Sequence, residues 1–134
     1  EKEMTDDKPY SSEGYALMGA AFEVHREMGG GLLEEICQES FEIELSDRDI
    51  PFHAKRELQV FYKNRQLKKR YVPDLVVHDE IVVELKAVSA LVSDHEAQLI
   101  NYMRITCSPV GYLINFGPIA KVEWKRFVLS EFVD

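Results

Sequence analysis

The chain has 134 residues, 46% of them hydrophobic and 30% charged, which is enough apolar content to bury one core without disulfides and leaves no room for a second domain. A formal net charge of -8 at pH 7 argues against a protein that coats nucleic acid by bulk electrostatics, because affinity for phosphate backbones comes mainly from Lys and Arg displacing counterions. No apolar run reaches bilayer length, the polar start Glu1–Lys8 lacks the pattern of a secretory signal, and Cys37 and Cys107 lack metal-ligand spacing. The expectation is a single cytoplasmic domain over 1–134 that does not enter a membrane, with a flexible segment over 1–11.

In chain order, Ser11-Ser12-Glu13 opens a helix whose Tyr15, Leu17, Met18, Ala21, Phe22, Val24, His25 and Met28 approximate one apolar face, and Gly29-Gly30-Gly31 ends it. A second helix begins near Leu32 and carries Leu33, Ile36, Cys37, Phe41 and Leu45 until Asp47–Pro51 stops it. Glu57–Tyr62 alternates as a strand, Lys63-Asn64-Arg65 turns, and the chain from Gln66 onward leads into a strand at Asp74. Leu75-Val76-Val77 and Ile81-Val82-Val83 read as two β-branched strands around the polar turn His78-Asp79-Glu80, so three antiparallel strands are expected in succession. Ser93-Asp94-His95-Glu96 has the form of a capping box opening a helix to about Ile105. Val110–Phe116 reads as a buried strand, and Val122, Trp124, Arg126 and Val128 alternate as a final one. Helices, three strands, a helix and a strand make an α/β sheet covered by helices.

The chemistry concentrates at Pro73-Asp74 and, ten residues on, Glu84-Leu85-Lys86. A three-residue loop would pair Val77 with Ile81, Val76 with Val82, Leu75 with Val83 and Asp74 with Glu84. Directly opposed residues have Cβ atoms about 4.5–5.5 Å apart, so the two acids repel unless a cation lies between them. The two-residue period of a strand also sets Glu84 and Lys86 on one face. Lys55, Arg56, Lys63, Arg65, Lys68, Lys69 and Arg70 crowd the segment before Asp74, either as a phosphate-facing edge or as lysines that protect an exposed strand edge from aggregation. On the Ser93 helix, His95, Gln98 and Tyr102 share a face.

The order of elements with Pro73-Asp74 and Glu84-x-Lys86 on consecutive strands resembles the PD-(D/E)XK nuclease superfamily, with its restriction-endonuclease-like αβββαβ core and mixed central sheet flanked by helices. Gly19–His25, Gly31–Cys37, Val83–Val88, His95–Leu99 and Leu113–Gly117 together resemble its GxxExxY branch, with Cys37 standing where that pattern has Tyr. The resemblance covers most of the chain. It implies hydrolysis of nucleic-acid phosphodiesters, DNA before RNA, with Mg²⁺ or Mn²⁺ held by Asp74, Glu84 and a helical acid. Glu34 is favoured for that acid over its rival Glu23, whereas a first-turn glutamate would also suit the helix dipole. Lys86 would orient the attacking water or stabilise charge on the phosphoryl oxygens. Gln98 and Tyr102 resemble a Q-x-x-x-Y element that positions the site or the backbone of the substrate, and Lys69, Arg70 and His95 join Tyr102 as substrate contacts. His25 reads as a satisfied histidine of the first helix.

Two alternatives stand beside this reading. One is a non-catalytic binding or assembly module that kept the fold and lost turnover. The other concerns the apolar tail Phe127-Val128-Leu129 with Phe132-Val133, which reads as core, with a homodimer interface as the alternative.

Overall fold

A computed structural model describes residues 8–134, so residues 1–7 of the expected leading segment lie outside the described residues. Helices α1 (Ser11–Met28) and α2 (Glu34–Asp47) precede strands β1 (Phe52–Ala54), β2 (Leu58–Tyr62), β3 (Arg65–Tyr71), β4 (Leu75–Val77) and β5 (Ile81–Lys86). Helix α3 (Ser93–Thr106) leads to β6 (Val110–Asn115), β7 (Glu123–Val128) and a closing 3-10 turn at Ser130–Phe132. Five strands form one mixed sheet in the order β1-β4-β5-β6-β7, and β2 and β3 form a separate two-stranded ribbon. The expected mixed central sheet flanked by helices is therefore present.

The register around the turn is the anticipated one: Val77 faces Ile81, Val76 faces Val82 and Leu75 faces Val83. His78 and Asp79 take left-handed backbone angles, a conformation that short polar side chains tolerate. Strand β5 then runs parallel to β6, a pairing that needs a crossover, here supplied by α3. Alternation along β5 divides the core in two. Ile81, Val83 and Leu85 pack with Leu17, Ala21, Phe41 and Leu45 of α1 and α2, while Val82 packs with Leu99 and Met103 of α3 and with Val60 and Tyr71 of the ribbon.

The expected run of three sequential strands is corrected. Strand β3 ends at Tyr71, and β4 pairs on its outer edge with β1, a short strand the sequence reading had passed over. Pro73 has no N–H to donate to a ladder and so breaks the strand run between β3 and β4. All three residues of β4 are buried, so its outer backbone groups need a partner, which Phe52–Ala54 provides. The ribbon turn is also shorter than expected, since Tyr62 pairs with Arg65 and only Lys63 and Asn64 connect them, both at positive φ as this class of turn requires.

Helix boundaries move by a residue or two. Helix α2 starts at Glu34 with Leu33 at its N-cap position, and at the start of α3 the N–H of Val92, at the N-cap position, donates to His95 Nδ1 at 3.1 Å; the side chain that reaches back is therefore His95, one position before the expected Glu96. On α1 the buried stripe is Leu17, Ala20, Ala21 and Val24 with Gly14 and Met18, whereas Tyr15 is 85% exposed and Phe22 and Met28 are also exposed. Small residues prevail there because the helix lies close to the sheet: a Cβ on Gly14 would stand 1.9 Å from the Tyr112 hydroxyl. The last two strands also shift, β6 stopping at Asn115 and β7 starting at Glu123.

Candidate active site

Asp74 and Glu84 stand one step beyond the last regular pair of the β4–β5 ladder, and each uses its carboxylate to extend it. The Asp74 N–H donates to Glu84 Oε1 at 3.1 Å, and the Leu85 N–H donates to Asp74 Oδ2 at 2.7 Å. The opposition expected from the register is thus realised as a reciprocal clasp, which leaves Asp74 Oδ1 outside it. The second oxygen of Glu84 accepts from the Tyr71 hydroxyl at 2.5 Å, a short bond of the kind an ionised acceptor makes. The Tyr71 ring in turn stacks on Tyr102 of α3, with centroids 4.0 Å apart and planes 9° from parallel.

Burial pushes the Glu84 carboxyl up to about 7, with the Tyr71 hydroxyl pulling it down and the Asp74 charge pushing it up. Tyr71 is itself raised by burial and then by Glu84. Glu34, in the first turn of α2, is raised by burial and then by Asp74, while the Lys86 ammonium lowers it. Three acids and one ammonium from α2, the Pro73-Asp74 junction and β5 therefore act on one another through charge. Glu23, the rival helical acid, is instead engaged by Arg26 on its own helix.

The donor set bears on a divalent cation in two ways. Carboxylate oxygens are the ligands that Mg²⁺ and Mn²⁺ prefer, and the Asp74 charge that raises Glu34 and Glu84 is what such a cation would relieve. On the other hand, among the described residues no three His, Cys, Asp or Glu side chains stand together as a ready metal cluster. The donor types fit the ion, and two of the acids, Asp74 and Glu84, already meet through their clasp.

A junction of glycines and one asparagine sets the loop before α2 against the segment just past Lys86. Gly31 N–H donates to Gly117 O at 3.0 Å, and a Cβ on Gly30 would stand 2.3 Å from Pro118 O, so the α1–α2 loop lies directly on the loop after β6. His25 Nε2, 2.7 Å from the same Pro118 carbonyl, donates to it, which accounts for that histidine. On the other side of this loop, a Cβ on Gly117 would stand 2.0 Å from Val88 O. Asn115 is fully buried; its side-chain oxygen accepts from Val88 N and Gly117 N at 2.9 and 3.0 Å, and its amide donates to Val88 O and Glu123 Oε1 at 3.0 and 3.1 Å. The segment just past Lys86 is thereby fastened to the loop that seats the start of α2. From α2, Gln38 donates to the Asp74 carbonyl and to Glu42, both at 3.1 Å. A buried Asn that closes a strand with Gly two residues later was the available signal.

The remaining expected residues sit on α3 and on the ribbon. Gln98 is exposed and shares with Tyr102 an open depression of about 500 Å³ on α3; Tyr102 reaches the acids only through its stack on Tyr71. His95 holds the start of α3 through Nδ1. Lys69 is exposed on the ribbon, and Arg70 donates to the carbonyls of Leu67 and Lys68 at 3.1 and 3.4 Å, which commits its guanidinium in part to its own strand.

A mixed sheet with an acid before one central strand, an acid and a lysine one residue apart at the end of the next, and helices on both faces defines a restriction-endonuclease-like scaffold. A family model of the PD-(D/E)XK nuclease superfamily matches residues 11–127, and the chain belongs to that superfamily. Among solved structures it is similar to one titled "Crystal structure of SSO0001", with 18% identity and a TM-score of 0.57, covering 89% of this chain and 59% of that one; at that identity the likeness shows the fold alone. No curated protein matches the chain significantly.

Proposed function

We propose that this chain is a metal-dependent nuclease that hydrolyses phosphodiester bonds of nucleic acid, DNA before RNA, and that it belongs to the GxxExxY branch of its superfamily. The observation that carries the reading is the Asp74–Glu84 clasp at the ends of adjacent strands, with Lys86 two residues beyond Glu84 on β5. Asp74, Glu84 and Glu34 would hold Mg²⁺ or Mn²⁺, which when bound supplies Lewis-acid polarisation of the phosphoryl oxygen and a more acidic water. Lys86 presents a compact ammonium to the charge that grows on the phosphoryl oxygens and orients the attacking water. Tyr71 keeps Glu84 in place through its hydroxyl, and Tyr102 holds Tyr71 by stacking. Gln98, Tyr102, His95, Lys69 and Arg70 border the site where the substrate backbone would pass. The free thiols of Cys37 and Cys107 suit a reducing, cytoplasmic setting, and among the described residues no helix is long and apolar enough to cross a membrane.

Purified Asp74→Asn and Lys86→Ala proteins are expected to lose Mg²⁺- or Mn²⁺-dependent cleavage of DNA while keeping the wild-type circular dichroism spectrum. Wild-type cutting by either variant, or cutting that persists in chelator, would remove the assignment. The second reading, a binding module without turnover, draws on the open spacing of the three acids. Calorimetric titration separates the two, since a module that lost its chemistry should bind neither ion at millimolar concentration.

A further inference from the structure

The β2–β3 ribbon carries a concentration of charge at odds with the rest of the molecule. Seven of the chain's 16 Lys and Arg fall between residues 55 and 70, where Glu57 is the one acid, although the net charge is -8. Arg56 is engaged by Asp79 at 2.9 Å, but among the described residues Lys63, Arg65, Lys68 and Lys69 make no ion pair. Every residue from 62 to 69 is exposed, so this half of the ribbon stands clear of the body on both faces. Its root is the opposite: Val60 and Tyr71 are buried against α3 and the sheet, and Tyr71 bonds Glu84. The ribbon thus projects from the candidate site itself.

Between the pairs Gln59–Arg70 and Phe61–Gln66, Val60 alone faces Leu67, Lys68 and Lys69. Such a bulge bends a strand and re-aims its side chains. Arg70 clips it from within through the Leu67 and Lys68 carbonyls, which pushes Lys68 and Lys69 outward.

We propose that this ribbon is a grip for duplex DNA that lies in the major groove and holds a stretch of helix beginning at the site. The inference rests on the nuclease reading for its orientation and not for its chemistry. A two-stranded ribbon fits a major groove about 12 Å wide, whereas the corresponding groove of an RNA duplex is too narrow for side chains to enter. Single strands are held largely by stacking on aromatic rings, and the ribbon's one exposed ring, Tyr62, has Lys63 Nζ 5.5 Å from its centroid. Six residue steps of β3 span about 20 Å, so the cations would follow roughly six base pairs at 3.4 Å each.

The test is fluorescence anisotropy of the full chain in chelator, where no cleavage occurs, with labelled DNA duplexes of about 6 and about 20 base pairs, the matching single strand and an RNA duplex. The wild type should bind the long DNA duplex best. The K63Q/R65Q/K68Q variant should bind it at least about tenfold more weakly, with the log–log salt slope smaller by about one per residue, and K63R/K68R should bind like the wild type. Equal affinity and slope for the glutamine variant would overturn the grip, and so would tighter binding of the RNA duplex or the single strand. Absence of cleavage by the wild type in Mg²⁺ or Mn²⁺, with ribbon-dependent binding intact, would remove the nuclease reading alone; wild-type cleavage with unaltered variant binding would remove the grip alone.

Discussion

Glu84 is the residue whose chemistry is most displaced from that of a free side chain. Its carboxyl titrates near 7 instead of 4.5, so between those values the folded protein holds a proton that the unfolded chain has released, and ion-free stability falls as pH rises through that window. The ion-free protein should therefore melt at a higher temperature at pH 5 than at pH 7.5, and Glu84→Gln should flatten this slope; an unchanged slope in the variant would place the titration elsewhere. The Tyr71 hydroxyl opposes the shift because it donates to the charged form. Tyr71→Phe should push Glu84 higher still and cost about 1.5–3 kcal/mol, the range for a hydrogen bond to a charged group, read by urea denaturation at neutral pH. These two predictions depend on contacts that no spacing of residues reveals. The opposition of Asp74 and Glu84 was legible from their strand pattern, whereas Tyr71 comes from a separate ribbon, where it stacks on Tyr102 of α3 and meets Glu84 through its hydroxyl.

At the level of elements, the site is assembled by loops that approach one another at glycines. Gly117→Ala would force a Cβ to within 2.0 Å of a backbone oxygen of Val88, and neither loop can yield, because Asn115 holds both. A loss of roughly 2–4 kcal/mol is expected for Gly117→Ala by chemical denaturation, at the upper end for single substitutions. Gly29→Ala provides the contrast, since open space surrounds it and its φ of 79° with ψ of -179°, a region essentially reserved for glycine, should cost about 1–3 kcal/mol of backbone strain alone. Equal effects at the two positions would argue against the close approach. Gly29-Gly30-Gly31 was readable as a helix stop, but its docking on Gly117 and Pro118 was not, because the partners lie some ninety residues apart and no local pattern joins them.

For the molecule as a whole, the proposed nuclease reading makes metal binding and stability two sides of one equilibrium, since an ion held by the acids binds the folded chain alone. Mn²⁺ at a hundredfold excess over its dissociation constant should stabilise the protein by about 2.7 kcal/mol, seen as a rise in melting temperature that Asp74→Asn abolishes; an equal rise in the variant would place the ion elsewhere. The edge of the sheet shows where sequence reading stops. Strands β4 and β5 announce themselves by β-branched runs, and their register follows from the three-residue turn. Strand β1 is three residues long with two of them exposed, too little pattern to declare a strand, and it exists because buried β4 requires a backbone partner.

Residue order alone determined the helices, the central hairpin, its pairing and the opposition of two acids across it, since all of these follow from periodicity and short-range geometry. Only the tertiary structure decided that Pro73 separates a ribbon from the sheet, that Tyr71 and Asn115 support the acids and the lysine strand, and that the basic segment stands free in solvent. Those outcomes depend on which buried backbone and side-chain groups find partners, and partners distant along the chain are brought together by the packing of the whole.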